Sequence, residues 1–129
     1  MEKLVNILAS MSSEMQGFVA GAVVDKEEGL TIVEYKADPN FEVAITAAYS
    51  VELLRAQRRA MEALGESEDK VEIFSFTPKY IFISRMIGDT PFYMHIVLKR
   101  EKAVLGLVFA YIKKYENLLD KAIKEWQSS

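Results

Sequence analysis

Residues 71–98 read VEIFSFTPKYIFISRMIGDTPFYMHIVL, and this stretch decides the fold. It contains three extended segments, rich in β-branched and aromatic residues, at 71–77, 80–86 and 92–98. The pairs and runs that separate them, Pro78-Lys79 and Gly88-Asp89-Thr90-Pro91, are typical of turns. The stretch therefore predicts a meander of three antiparallel strands.

The sequence before the meander predicts a helix followed by a hairpin. Residues 18–24 are almost wholly apolar, and residues 30–35 alternate after an acidic turn, which is typical of a hairpin with a buried first strand. Apolar residues spaced by three and four predict a short first helix that ends at Gly17; they are Leu4, Ile7, Leu8, Met11 and Met15.

Two further helices are predicted on either side of the meander. Asp38-Pro39 is a helix-start signal, because an aspartate accepts hydrogen bonds from first-turn amides and proline suits the first helical position. This second helix is expected to end near Leu64, before Gly65. The third helix has an apolar face made of Val104, Val108, Tyr111, Ile112, Tyr115, Leu118, Leu119, Ala122 and Trp126.

The resulting order, α-β-β-α-β-β-β-α, predicts an α+β sandwich with a five-stranded, mainly antiparallel sheet. Helix two is expected on one face of the sheet, and helices one and three on the other. The length of 129 residues suits a single domain spanning 1–129.

Helix two has no polar face in its first half, from Phe41 to Val51. On a helical wheel we expect Ile45 and Tyr49 to face the sheet, with Phe41, Ala44, Ala48 and Val51 pointing the opposite way. A helix that is apolar all round must be covered on more than one side, and a second copy of the chain is the expected cover. The predicted interface of this homodimer comprises Phe41, Ala44, Ala47, Ala48 and Val51.

The first strand of the meander supports the same hypothesis. Val71, Ile73 and Ser75 are predicted to share one face, with Phe74 and Phe76 on the other, so a free edge here would be prone to aggregation. Pairing this strand across a two-fold axis would remove the edge and add the first three residues to the interface. A strand that lies centrally in the sheet of one chain explains the pattern equally well.

Charged side chains follow on the second half of helix two. This stripe is our candidate surface for a further partner, although a solvated face has the same pattern; it comprises Glu52, Arg55, Arg58, Arg59 and Glu62. Lys99, Arg100 and Lys102 form a second basic cluster before helix three, open to the same two interpretations.

Composition and motifs argue against catalysis and cofactors. The chain has no cysteine, no glycine-rich phosphate loop and one histidine, His95, which we interpret as a hydrogen-bonded strand residue. We interpret the turn acids Asp25, Glu27 and Glu28 as solvated, so no metal is expected. A net charge of -3 disfavours nucleic acid. The N-terminus lacks a signal block or a membrane-length span, which predicts a cytoplasmic protein without membrane insertion.

Residues 18–123 resemble the roadblock family, which includes roadblock-type dynein light chains and bacterial partners of Ras-like GTPases. The resemblance is carried by VAGAVVD at 19–25 before Gly29-Leu30, the alanine-rich helix two, YIFI at 80–83 before Gly88-Asp89, and Ala103 with LGLV at 105–108. At the start of helix three, Lys102 and Val104 replace the family's usual polar cap.

The resemblance implies a profilin-like roadblock fold and a dimer in which the second helices pack together and the third strands join two sheets. It also implies a non-enzymatic scaffold or regulator that docks a small Ras-like GTPase. Two alternatives remain from the residues themselves: a small-molecule sensory module, and a cargo adaptor of a motor or secretion assembly.

Overall fold

A computed structural model of the chain describes residues 1–66 and 70–128. The elements follow the predicted order α-β-β-α-β-β-β-α, with a single 3₁₀ turn at Arg100–Lys102 before the last helix. They are α1 (Glu2–Glu14), β1 (Phe18–Asp25), β2 (Thr31–Lys36), α2 (Val43–Ala63), β3 (Glu72–Phe76), β4 (Tyr80–Met86), β5 (Phe92–Lys99) and α3 (Leu105–Ser128).

The five strands form one sheet in the order β2-β1-β5-β4-β3. Every neighbouring pair is antiparallel, and β5 lies at the centre, where all its residues except Lys99 are buried. Strand β3 pairs with β4 alone among the described strands, so it forms an edge. The alternative of a central position for this strand in one chain is therefore wrong.

Helices α1 and α3 cover one face of the sheet, as predicted. Their apolar stripes meet the sheet in a core that includes Leu8, Met11, Ile96, Ile112 and Leu119. Polar contacts at the rim hold the two helices to each other: Lys3 Nζ lies 2.7 Å from Glu125, and Lys114 Nζ lies 2.8 Å from Glu14. The Tyr115 hydroxyl also donates to Glu14. Each helix thus covers one flank of the other.

Helix α2 covers the opposite face without a neighbouring helix in the described chain. Its start differs from the prediction, because α2 begins at Val43 rather than at Asp38-Pro39. The Asp38 carboxylate accepts from the amide of Asn40 at 3.0 Å, and its carbonyl accepts from the amide of Phe41 at 3.1 Å. Asp38 therefore closes a turn ahead of the helix, a common role for aspartate that competes with helix capping.

The apolar stripe of α3 is narrower than the sequence predicts. Five of the expected residues are buried, namely Val108, Ile112, Tyr115, Leu119 and Ala122, together with Ile123. The prediction is wrong for Val104, Leu118 and Trp126, whose side chains are exposed. Val104 precedes the first helical residue, and the ring of Trp126 in the last turn lies 5.8 Å from that of Phe92.

Candidate protein-protein interface on helix α2 and strand β3

The outer side of α2 is apolar and open. Tyr49 is 72% exposed, Ile45 55% and Leu53 51%, although the wheel placed Ile45 and Tyr49 against the sheet. That prediction is wrong, because a different stripe of α2 packs inward, and Ala44 and Ala48 are exposed as well. The buried residues are Val43, Ala47, Ser50, Val51 and Leu54, and they meet Ala20 and Ala22 of β1, which allow the helix to approach closely.

Because a different side of α2 packs on the sheet, some residues of the predicted dimer interface are not accessible. Ala47 and Val51 are buried on the side of α2 that faces the sheet, and Val71 is buried just before β3. These three residues therefore belong to the chain's own core. Phe41 is half-buried, and its ring centroid lies 5.4 Å from that of Tyr80 in an edge-to-face arrangement. Ile73 and Ser75 are half-buried at the sheet edge, while Ala44 and Ala48 are exposed.

A groove runs between α2 and the edge of the sheet at β3 and β4. Its volume is about 190 Å³, with Thr46, Tyr49 and Leu53 lining it from the helix and Ser75, Phe82 and His95 from the sheet. The polar groups beside it are satisfied within the chain: the Ser50 hydroxyl and the Tyr93 hydroxyl each donate to the Ala47 carbonyl, both at 2.7 Å. The groove therefore presents mainly apolar walls.

His95 forms the floor of this groove and fastens α2 to the sheet. Its Nε2 lies 2.9 Å from the Thr46 hydroxyl and its Nδ1 lies 3.0 Å from the Ser84 hydroxyl, while the ring stacks on Phe82. Burial lowers the pKa of His95 to about 4, so the imidazole is neutral near pH 7. The prediction of a hydrogen-bonded strand residue is confirmed.

The opposite flank of α2 faces the turn between β1 and β2. Gly29 has a φ of +74°, and a Cβ there would lie 3.0 Å from Val51 and 3.8 Å from the backbone of Ala48. Arg55 is drawn to the same turn, because its guanidinium donates to the Glu27 carbonyl and lies 3.8 Å from Glu52. Tyr49 and Leu53 thus lie on one flank of α2, and Ala48 and Arg55 on the other.

The predicted charged stripe lies along this second flank and the outer side. Arg55 and Arg58 are half-buried, whereas Glu52, Arg59 and Glu62 are exposed. At 100° per residue these positions fall away from the groove. The stripe and the groove are therefore separate surfaces of the same helix.

Strand β3 offers backbone groups as well as side chains. Ile73, Phe74 and Ser75 lie opposite Ser84, Ile83 and Phe82 of β4, and the other side of β3 faces no strand in residues 1–66 and 70–128. A strand that is paired on one side only, next to an apolar groove, can accept a further strand and a further helix. The predicted edge-to-edge contact requires this arrangement.

The acidic turn has an internal role. The Asp25 carboxylate accepts from the amides of Glu27 and Glu28, at 3.3 and 3.2 Å.

Among the described residues, no group of three or more histidine, aspartate or glutamate side chains is placed to hold a metal ion. No helix in that same part of the chain has the length and apolar character needed to cross a bilayer.

The sequence matches no family model and no curated protein. Solved structures match over nearly the whole chain. The gliding protein MglB from Thermus thermophilus is 18% identical, with a TM-score of 0.81, covering 96% of this chain and 90% of that one. Myxococcus xanthus MglB is 19% identical, with a TM-score of 0.82 and the same coverage.

A Roadblock/LC7 domain from Streptomyces avermitilis is 14% identical, with a TM-score of 0.76, covering 97% of this chain and 98% of that domain. The high TM-scores show a shared fold, and identities this low show the fold alone. The chain has the roadblock fold, as the sequence resemblance predicted.

Proposed function

We propose that the chain is a non-enzymatic, homodimeric scaffold that regulates a Ras-like small GTPase. The observation that carries this proposal is the open apolar side of α2 next to the free edge of β3. Covering a large apolar side chain contributes about 1.5–3 kcal/mol. Ile45, Tyr49 and Leu53 together therefore favour association by several kcal/mol before its entropic cost.

In the proposed dimer the groove side of α2 packs on its counterpart, and the two β3 strands pair across the two-fold axis. The interface then comprises Ile45, Tyr49 and Leu53 with Phe41, Ile73 and Ser75. Ala44 and Ala48 fall on the other flank, and Ala47, Val51 and Val71 support the interface from within the chain. A solved relative, 18% identical, is described as MglB with tetrameric arrangement, which supports self-association in this fold.

The shape of the groove favours a protein occupant over a small molecule. Its volume of about 190 Å³ is below the several hundred cubic ångströms usual for ligand pockets. It is also open along α2, so a side chain of a second copy can enter from the outside. This argues against the sensory-module alternative, while the cargo-adaptor alternative differs from the proposal only in the partner.

The GTPase part of the proposal rests on the roadblock resemblance and on the second flank of α2. Glu52, Arg55, Arg58, Arg59 and Glu62 stay accessible when the groove side is covered. No carboxylate of the described residues lies within ion-pair distance of Arg58 or Arg59. These two cations are therefore available to a third protein.

A pair of glutamate substitutions tests the dimer. We expect the wild type to sediment at twice the chain mass of 14.7 kDa. Tyr49→Glu should give a monomer, because its carboxylate would be buried in the interface, whereas Ala48→Glu should remain dimeric. Monomeric Ala48→Glu with dimeric Tyr49→Glu would return the interface to the small-residue flank. A wild-type monomer would exclude the dimer.

The regulatory role is tested with purified Ras-like GTPases encoded in the same genome. Binding is measured in the GDP and GTP-analogue states by calorimetry, together with GTP turnover. We expect binding to one nucleotide state to weaken in Arg58→Glu/Arg59→Glu while the dimer mass is unchanged. Lys121→Glu/Lys124→Glu on α3 applies the same charge change elsewhere and should have no effect. No binding and unchanged turnover with all of these GTPases would exclude the role.

A further inference from the structure

The first two turns of α3 form a second open apolar surface, on the face of the sheet opposite α2. Residues 103–110 read AVLGLVFA, yet Val108 is the one fully buried member of this run. Val104 is 50% exposed, Leu105 42% and Leu107 52%. From Ile112 onward the same helix buries most of its apolar side chains, with Leu118 and Trp126 exposed singly, so the continuous exposed run lies at its beginning.

Cations surround this apolar run. Lys99, Arg100 and Lys102 precede it, and Lys79 joins them, because the amide of Arg100 donates to the Lys79 carbonyl at 3.0 Å. Arg100 is held in place: its guanidinium donates to the Thr77 carbonyl at 3.2 Å and lies over the Phe76 ring. The three lysines are exposed.

In the described part of the chain, these lysines lack the carboxylate partners that other cations have. Lys3, Arg85 and Lys114 each lie within 3.2 Å of a carboxylate. Within residues 1–66 and 70–128, Lys79, Lys99 and Lys102 have no carboxylate within 4.0 Å, and Glu101 is the one acid in their segment. The uncompensated positive charge therefore lies directly beside uncovered apolar side chains.

The surface is concave. A cavity of about 340 Å³ opens between Pro78, Lys79, Lys99 and Glu101. A smaller cleft of about 90 Å³ lies between the end of α1 and the start of α3, where Val104 and Leu107 form one wall. Glu14 also lines this cleft, and its carboxylate is paired with Lys114 and the Tyr115 hydroxyl. Such hollows accept individual side chains of a folded or extended polypeptide.

We infer that this basic apolar surface, defined as Lys79, Lys99, Lys102, Val104, Leu105 and Leu107, binds an acidic protein segment that also carries large apolar side chains. Carboxylates of the segment pair with the lysines, and its apolar residues cover Val104 and Leu107. An anionic bilayer fits less well, because a flat surface cannot enter the two hollows. The inference does not depend on the proposed dimer, whose contacts come from α2 and the edge of β3. The start of α3 reaches β3 through Phe109, which stacks on Phe74 and is not part of this surface.

Selection from a library of random 16-residue peptides displayed on phage tests this inference. Phage are selected on the wild type and counter-selected on Lys99→Glu/Lys102→Glu. We expect the recovered peptides to be enriched in aspartate and glutamate with leucine or phenylalanine. Synthetic versions should bind roughly ten-fold more weakly to the double variant, and more weakly to the wild type at high salt.

Two further variants separate charge from apolar contact. Leu107→Ser should weaken binding with the charges intact, whereas Lys121→Glu/Lys124→Glu should leave affinity unchanged. Amide chemical shifts of residues 99–107 in the wild type should move on addition of the peptide, which gives a readout that does not depend on any variant.

Three results would overturn the inference: no selected peptide, peptides without acidic enrichment, or equal affinity for wild type and Lys99→Glu/Lys102→Glu. Co-sedimentation with phosphatidylserine vesicles that the same double variant abolishes, in the absence of selected peptides, would assign the surface to a membrane and also overturn it.

Discussion

The two faces of the sheet are covered by the same kind of element in different numbers. On one face α1 and α3 lie side by side, and their rim is tied by Lys3 with Glu125 and by Lys114 with Glu14. On the other face α2 lies alone in the described chain and leaves Tyr49 72% exposed. A helix can bury one stripe on a sheet, but its flanks need neighbours.

The difference shows where this fold leaves room for partners. The face with two helices closes its own core except at the first turns of α3, while the face with one helix closes only beneath α2. The single helix is fastened partly by polar bonds, through His95 with Thr46 and Tyr93 with Ala47. The two faces therefore differ: one is closed by apolar packing of two helices, and the other is open and holds its single helix partly by hydrogen bonds.

The largest expected effect comes from matched leucine truncations on the two faces. Leu119→Ala should lower the free energy of unfolding by about 2–5 kcal/mol, because Leu119 is fully buried and its removal leaves a cavity. Leu53→Ala should cost less than about 1 kcal/mol, since that side chain lies half open. Urea unfolding in a Tyr49→Glu background measures both in one oligomeric state. Equal losses would contradict the contrast.

A smaller effect is expected from acid. The pKa of His95 is near 4 in the folded chain and near 6.5 when unfolded, so the unfolded state binds more protons between these values. Its stabilising contribution is complete above pH 6.5 and is lost as the pH falls through 4, by roughly 3 kcal/mol. His95→Gln should remove this slope.

Hydrogen exchange locates the acid effect. Between pH 6.5 and 4.5, amides of α2 should lose protection earlier than those of α3, because His95 bonds to Thr46 on α2. Simultaneous loss in both helices would show that the polar fastening does not act on α2 alone.

The smallest effects come from two glycine substitutions that probe the ends of the closed face. Gly106→Ala should stabilise the chain by about 0.5 kcal/mol, because a Cβ there meets nothing within 4 Å and alanine favours the helix. Gly88→Ala should destabilise it, since φ is +50° and the Cβ would lie 2.6 Å from the Asp120 carboxyl group. Thermal unfolding distinguishes the two signs.

Much of the fold could be predicted from local sequence. The meander at 71–98 and the hairpin before it follow from strand periodicity and turn residues, and the observed strands differ from the predicted ones by at most one residue at either end. Helix starts were harder. Asp38-Pro39 has the composition of a cap, but its side chain closes a local turn instead.

The sequence predicted that α2 forms the candidate site but placed the wrong side of this helix against the sheet. An apolar first half of α2 correctly indicated that more than one side of this helix is apolar. The wheel could not show which side meets the sheet, because alanines and large residues alternate around it. Ala20 and Ala22 beneath the helix pack against Ala47, Val51 and Leu54, which leaves Tyr49 and Ile45 outside. No signal in α2 itself specifies that choice.

Short-range periodicity and composition sufficed for the element order, the aromatic strand β3 and the resemblance to the roadblock family. The position of β3 at the edge of the sheet followed only from the strand topology. The tertiary packing decided which flank of α2 is open, that Arg55 is held by the β1–β2 turn, and that the start of α3 is uncovered beside lysines with no carboxylate partner among the described residues. Those features depend on the shape of distant strands, since burial is a property of neighbours in space.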